Sequence, residues 1–174
     1  MAITLDGTNG IDSPDFNMSG VGVTYPLVSG TITLVSGTST LITGIPSWVK
    51  RITVMYKGVT LSAGVHLIQI GSGSVSTTGY TCAASGVGAS SVATSSVTNG
   101  FQFGNTNSAA NGIFTLTLVD TNTWTGFGAF QAGTQTNFST GISPTLVGAL
   151  DRINITSSTG LATLSAGSVN IMYE

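Results

Sequence analysis

The chain never sustains a helical period. Its apolar residues come in short alternating runs, each closed within a few residues by Gly, Pro, Asn or Asp. The densest run is Ser47-Trp48-Val49-Lys50-Arg51-Ile52-Thr53-Val54-Met55-Tyr56-Lys57-Gly58. Ile52, Val54 and Tyr56 fall on one side of an extended backbone, and Arg51, Thr53, Met55 and Lys57 on the other. Pro46 precedes the run and Gly58 ends it. The segment is predicted to be a central strand of an antiparallel sheet, with one face in the core. Trp48 at its head is predicted to join that core.

The same grammar continues along the chain. Thr31 to Val35 alternates, and a turn at Gly37 leads to Leu41-Ile42. Val65 to Ile70 alternates again and is closed by Gly71 and Gly73; Thr77 to Cys82 is a weaker strand. Residues 83–99 are all small or hydroxylated apart from valines, which predicts low complexity with at best a short strand near Val87–Val92. Thr98-Asn99-Gly100 and Ala110-Asn111-Gly112 read as hairpin turns, because Asn-Gly suits the type I′ geometry. Ile113 to Val119 places Phe114, Leu116 and Leu118 inward. Leu150 to Thr156 and Ser168 to Glu174 complete the set, the latter predicted to pair inside the sheet. About eight to ten short strands at roughly ten-residue spacing predict an all-β fold, an antiparallel, jelly-roll-like β-sandwich.

Residues 1–30 differ in kind. They hold Asp6, Asp12 and Asp15, half of the six acidic residues, among closely spaced turn signals. Such a stretch cannot form its own core, so it is predicted to be an extended N-terminal arm ordered against other chains. Ile3, Leu5, Ile11 and Phe16 are its candidate virion or oligomer contacts. The predicted organisation is an arm over 1–30 and a sandwich head over 31–174.

Charge is scarce. Asp, Glu, Lys and Arg make up 6% of the chain, against about 25% in ordinary proteins. Their place is taken by 28 Thr, 22 Ser and 24 Gly. Four basic residues and a net charge of −2 argue against nucleic-acid binding, which needs a basic surface to displace phosphate counterions. No apolar run approaches the ~20 residues of a membrane helix, so no membrane insertion is expected. Mean hydropathy is nonetheless +0.40, which predicts apolar area hidden between subunits and hence a homo-oligomer. Met1-Ala2-Ile3-Thr4-Leu5-Asp6 lacks the basic and apolar regions of a signal peptide.

Catalytic chemistry is poorly supplied. One His and one Cys leave His66 and Cys82 as the only thiolate–imidazole combination, and Cys is more often a buried structural residue. A glycosidase pair would have to come from Asp120, Asp151 and Glu174, none placed in a recognisable motif. No enzyme, no cofactor and no metal site is expected. On a threefold axis a lone His66 could supply three imidazoles, but an ordinary strand histidine is the simpler reading. Asp6, Asn9 and Asp12 lack calcium-loop spacing. The sequons at Asn17, Asn137 and Asn154 are no more than ten Asn among 50 Ser and Thr give by chance. Trp124, Phe127 and Phe130 flank a Gly-rich turn and are the candidate glycan-binding residues, with Trp124 as a core residue the competing reading. Arg51 or Arg152 is expected to pair with Asp151 or Glu174.

Three stretches carry a resemblance. They are Trp48 to Gly58, Leu67 to Gly71 with Thr77 to Tyr80, and the ending Leu150-Asp151-Arg152-Ile153 followed by Ala166 to Glu174. Together they resemble the β-rich C-terminal domain of tailed-bacteriophage tail fibres and related virion appendages. The opening Met1-Ala2-Ile3-Thr4-Leu5-Asp6-Gly7-Thr8-Asn9-Gly10-Ile11 is similar to the start of many phage tail proteins. The resemblance implies a structural protein on the virion exterior, usually trimeric, without catalytic residues. Such fibres often carry a long shaft, whereas here the arm runs almost directly into the head. The expected function is therefore a short tail-fibre or appendage protein that attaches to the host surface, its partners being its own copies, other virion proteins through the arm, and a host glycan. The alternative is a capsid decoration protein with a purely structural role. Deleting residues 1–26 is expected to leave a folded head that no longer joins virions; normal incorporation of the truncated protein would show that the arm is not the anchor.

Overall fold

The computed structural model describes residues 37–88, 92–103 and 108–174, together with the backbone pairing of 27–28 and 32–33. The arm residues Ile3, Leu5, Ile11 and Phe16 lie outside the described residues. The fold is an antiparallel β-sandwich. The strands are β1 (Leu27–Val28), β2 (Ile32–Thr33), β3 (Ser39–Thr43), β4 (Arg51–Leu61), β5 (His66–Ser72), β6 (Ser74–Val75) and β7 (Thr81–Val87). They continue as β8 (Val92–Val97), β9 (Phe101–Phe103), β10 (Ala110–Asp120), β11 (Thr123–Ala132), β12 (Gln135–Ile142), β13 (Arg152–Ser157) and β14 (Leu164–Tyr173). The larger sheet has nine strands in the order β1-β14-β4-β10-β11-β12-β7-β8, with β2 also on β14; the smaller has five, β3-β13-β5-β6, with β9 on β5.

β4 behaves as its alternation predicts. Ile52, Val54 and Tyr56 are buried, and β4 lies between β14 and β10. They meet Ile68 and Ile70 of β5 and Ile153 and Ile155 of β13 in one core. Trp48 does not join it. It stands in the turn before β4, about half exposed and 6.0 Å from the Tyr173 ring, and Val49 takes the core position.

Two glycine features explain how the larger sheet accommodates its contents. Gly126 and Gly128 face inward on β11, and a Cβ on either would stand 2.5 Å from the Phe114 ring. The ring occupies the volume their side chains would need. Near Gly58 the ladders of β4 with both β10 and β14 shift register. The Asn111 side-chain oxygen accepts the Gly58 N–H at 2.8 Å there.

Asn111-Gly112 is therefore not a hairpin turn. Both residues lie inside β10, where Gly112 at φ 153° meets the bulge. Thr98-Asn99-Gly100 is not a hairpin either; it carries the chain from β8 in the larger sheet to β9 in the smaller. Within the described parts of 83–99 more strand forms than expected, since β7 and β8 pair from Cys82↔Val97 to Val87↔Val92. Small alternating residues suffice because the inward positions Cys82 and Ala84 pack beneath other side chains rather than supplying bulk.

The last strand is held firmly. β14 lies between β4 and β1/β2. The Glu174 carbonyl accepts the N–H groups of Lys50 and Arg51, each at 2.8 Å, and the Glu174 N–H donates to Arg51 O at 2.9 Å. The Arg51 guanidinium also pairs with the Glu174 carboxylate. Buried Val169 and Ile171 contribute about 1.5–3 kcal/mol each, a large share of the ~5–15 kcal/mol of a whole domain. Truncation after Gly167 is expected to give insoluble or unfolded protein, scored by soluble yield and circular dichroism; a soluble, cooperatively melting truncation would show that the sandwich is complete without this strand.

Candidate functional site: a neutral polar cleft on the smaller sheet

The outer face of the smaller sheet is polar where β5 and β13 meet. Gln69 and Asn154 are register partners on it, and Thr156 lies one pair further on, between Leu67 and Ser39. Ile153 and Ile155 point the other way into the core, so alternation alone sends these polar residues outward. The connection Thr98–Gly100 crosses over Leu67 and Gln69, and the turn after β13 rises beside it. A Cβ on Gly100 would meet Gln69 Cγ and Ile68 O at 3.1 Å, so the crossing lies close enough that a side chain there would press on its neighbours.

These pieces border an open, shallow cleft of about 360 Å³ lined by residues of uncharged polar type, among them Ser39, Gln69, Thr77, Asn99, Asn154 and Thr159. Its amides are fixed by one another. Asn154 Nδ2 donates to Gln69 Oε1 at 3.0 Å, Gln69 Nε2 donates to Asn99 O at 2.7 Å, and Asn99 Nδ2 donates to Ser158 O at 3.2 Å. Thr156 Oγ1 donates to Thr38 O at 2.8 Å. Asn154 Oδ1 and the hydroxyls of Ser39 and Thr77, all on lining residues, make no such bond among the described residues. The cleft thus offers oriented amide and hydroxyl groups and no charge. It suits a neutral, polyhydroxylated ligand; an anion or cation would lose hydration without gaining a counter-charge.

The sequence-predicted glycan residues do not meet in one place. Trp124 and Phe130 are 2% and 4% exposed and point into the core, whereas Phe127 is 60% exposed on the opposite face of β11. An odd spacing on a strand reverses the side, so the three cannot form one stacking platform. Gln69, Asn99 and Ser158 were not legible as a site. Asn154 stood out only as a sequon, although a Gln and an Asn each set among buried Ile was the available signal.

His66 and Cys82 are held separately. The His66 ring is fully buried between Tyr56 and Phe103, centroids 6.1 and 6.2 Å away, with Nε2 3.4 Å from Ser108 O. Buried this deeply within one chain, it cannot face other copies across an axis. Cys82 Sγ accepts the Gln102 N–H at 3.2 Å and lies 3.5 Å from Ser139 Oγ. No group of three His, Cys, Asp or Glu able to hold a metal occurs among the described residues. No helix there is long and apolar enough to cross a membrane.

The expected pairing of Arg51 or Arg152 with Asp151 or Glu174 forms at both arginines. Besides Arg51 with Glu174, Arg152 grips Asp151 through Nε at 2.7 Å and Nη2 at 2.9 Å. That bidentate contact, helped by the Gly73 N–H, holds the Asp151 carboxyl below its usual range. The chain matches no family model, no curated protein and no solved structure.

Burial lowers the His66 pKa from 6.5 to about 4. The fold therefore refuses a proton that the unfolded chain takes up near pH 6.5. Stability is full above that pH and falls as pH drops towards about 4, by about 3 kcal/mol in all. Calorimetry at pH 7 and pH 4.5 should show the Tm fall by several degrees, and His66→Gln should flatten the profile. An equal drop in both proteins would clear His66 of the effect.

Proposed function

We propose that this chain is a short, homo-oligomeric appendage on the exterior of a tailed-bacteriophage virion, a non-catalytic protein whose sandwich head attaches to a neutral glycan of the host surface. The carrying observation is the cleft of locked amides and free hydroxyls around Gln69 and Asn154, without a charged lining residue. The resemblance of the 48–58, 67–71, 77–80, 150–153 and 166–174 stretches to tail-fibre heads supports the virion placement. The hydroxyl-rich, charge-poor composition fits an exposed surface of that kind. A capsid-decoration role would need no such cleft, which is why attachment is read first.

The mechanism is multivalent. Without an aromatic platform a single cleft binds weakly, and several copies on one appendage multiply weak contacts into durable adhesion. Probed on immobilised neutral and uronic-acid oligosaccharides, the protein is expected to hold the neutral ones and leave the acidic ones. Asn154→Ala should weaken single-site binding about 2- to 10-fold, the effect of one neutral hydrogen bond, and lower the Tm by a few degrees because buried Gln69 Oε1 loses its donor. No neutral oligosaccharide retained, or retention indifferent to Asn154→Ala and Thr77→Ala together, would overturn the attachment reading.

A further inference from the structure

The chain of amides in the cleft decides which atom is left for a ligand. Asn99 O can only accept, so the Gln69 side chain turns Nε2 towards it, at 2.7 Å, and Oε1 towards Asn154. Asn154 must then present Nδ2 to Oε1, at 3.0 Å. Its Oδ1 is left unbonded among the described residues and is not sealed away from solvent. The cleft therefore holds an acceptor fixed in direction, and a ligand must answer it with an N–H or O–H.

The register sets an apolar side chain beside that acceptor. The row Leu41–Asn154–Gln69 crosses β3, β13 and β5 on the outer face of the smaller sheet. Leu41 is 50% exposed, whereas the next residue, Ile42, is buried in the core. Ser39 and Thr43, two positions either way on the same face, are hydroxylated. Directly opposed Cβ atoms stand about 4.5–5.5 Å apart, so Leu41 borders Asn154 on the side away from Gln69. A lone exposed leucine is ordinary on a protein surface; what sets this one apart is its pairing with the residue that carries the open acceptor. Arg152, two positions from Asn154 on the same face, brings no free charge to the site, because Asp151 holds its guanidinium through Nε and Nη2.

We propose that the cleft takes an N-acetylated hexosamine, its acetamido N–H donated to Asn154 Oδ1 and its acetamido methyl resting on Leu41. This rests on the glycan reading above and names the class of sugar within it. A hydroxyl answers the acceptor equally well but leaves Leu41 in water. A 6-deoxy sugar brings a methyl group with no N–H beside it. The acetamido group carries a donor and a methyl two bonds apart, and it is neutral, as an uncharged cleft requires.

Three matched pairs of sugars test this: N-acetylglucosamine against glucose, N-acetylgalactosamine against galactose, and N-acetylmannosamine against mannose. Each is displayed on a polymer at equal density, and binding of the full chain is followed by surface plasmon resonance. In at least one pair the acetylated sugar is expected to be held about 3- to 10-fold more tightly, the effect of burying a methyl group. Leu41→Ser should erase that preference by weakening the acetylated sugar alone, with the parent sugar and the circular dichroism unchanged, because Leu41 is a surface group. Leu41→Met should keep the preference. Equal binding within every pair would overturn the acetamido assignment and leave glycan attachment standing, and so would retention of other neutral oligosaccharides with none of these six held. A preference that survives Leu41→Ser would overturn the placement of the methyl group. Retention of no neutral saccharide of any kind would remove the attachment reading and this one with it.

Discussion

The sandwich is closed by three residues. β9 is only Phe101-Gln102-Phe103, yet its two rings tie the sheets together. Phe103 stacks on Phe130 with centroids 3.9 Å apart and lies 4.2 Å from Tyr56, and Phe101 reaches Tyr80 and Phe114 at 5.2 and 5.5 Å. Aromatic pairs add about 0.5–1.5 kcal/mol each beyond the area they bury. β9 has β5 on one side only, and its other edge turns into the larger sheet. There side chains replace a neighbouring strand: Cys82 Sγ accepts the Gln102 N–H, and Ser139 donates to the Gln102 carbonyl. The lone cysteine is thus an acceptor that closes a buried sheet edge. The Tyr80 hydroxyl works the same way, accepting the Ile70 N–H at 2.9 Å while its single proton is shared between Ser76 O at 3.0 Å and Ile70 O at 3.2 Å.

What the sequence could reveal followed from period two. β4, β10 and β14 were legible because large β-branched and aromatic residues alternate with polar ones there, and burial follows that alternation. The pairing of Arg51 and Arg152 was legible because so few partners existed. Asn111-Gly112 misled because a bulge and a hairpin ask for the same glycine backbone. β7 and β8 were hidden because a strand can be made of Ser, Ala and Thr when the bulk comes from residues across the core. The cleft was hidden for a different reason. Gln69 and Asn154 are 85 positions apart, and only the β5–β13 register brings them together.

Scarcity of charge shapes both surfaces that matter. On the smaller sheet it leaves a cleft whose recognition rests on hydrogen-bond geometry, with little field to attract a ligand from a distance. On the larger sheet it leaves an outer face of hydroxyl and amide residues with Ile113, Phe127 and Phe138 set among them. Four of the described charges are used at joins between segments. Arg51 and Glu174 fasten the end of β14 to the start of β4, and Asp151 links Arg152 to the turn at Gly73. An exposed pair of this kind stabilises by only ~0–1 kcal/mol, so its main effect is on register.

The Phe114 ring lying over Gly126 and Gly128 bears on inheritance. One ring and two absent side chains make a unit that spans two strands, and none of the three positions can drift alone. Enlarging a glycine collides with the ring, and shrinking the ring leaves a hole above two bare backbones. Over long divergence the three positions must change together or stay fixed while the hydroxylated surface around them turns over freely. A distant descendant of this chain would then be recognised less by overall identity than by a Gly-x-Gly on one strand facing a large aromatic on the strand beside it.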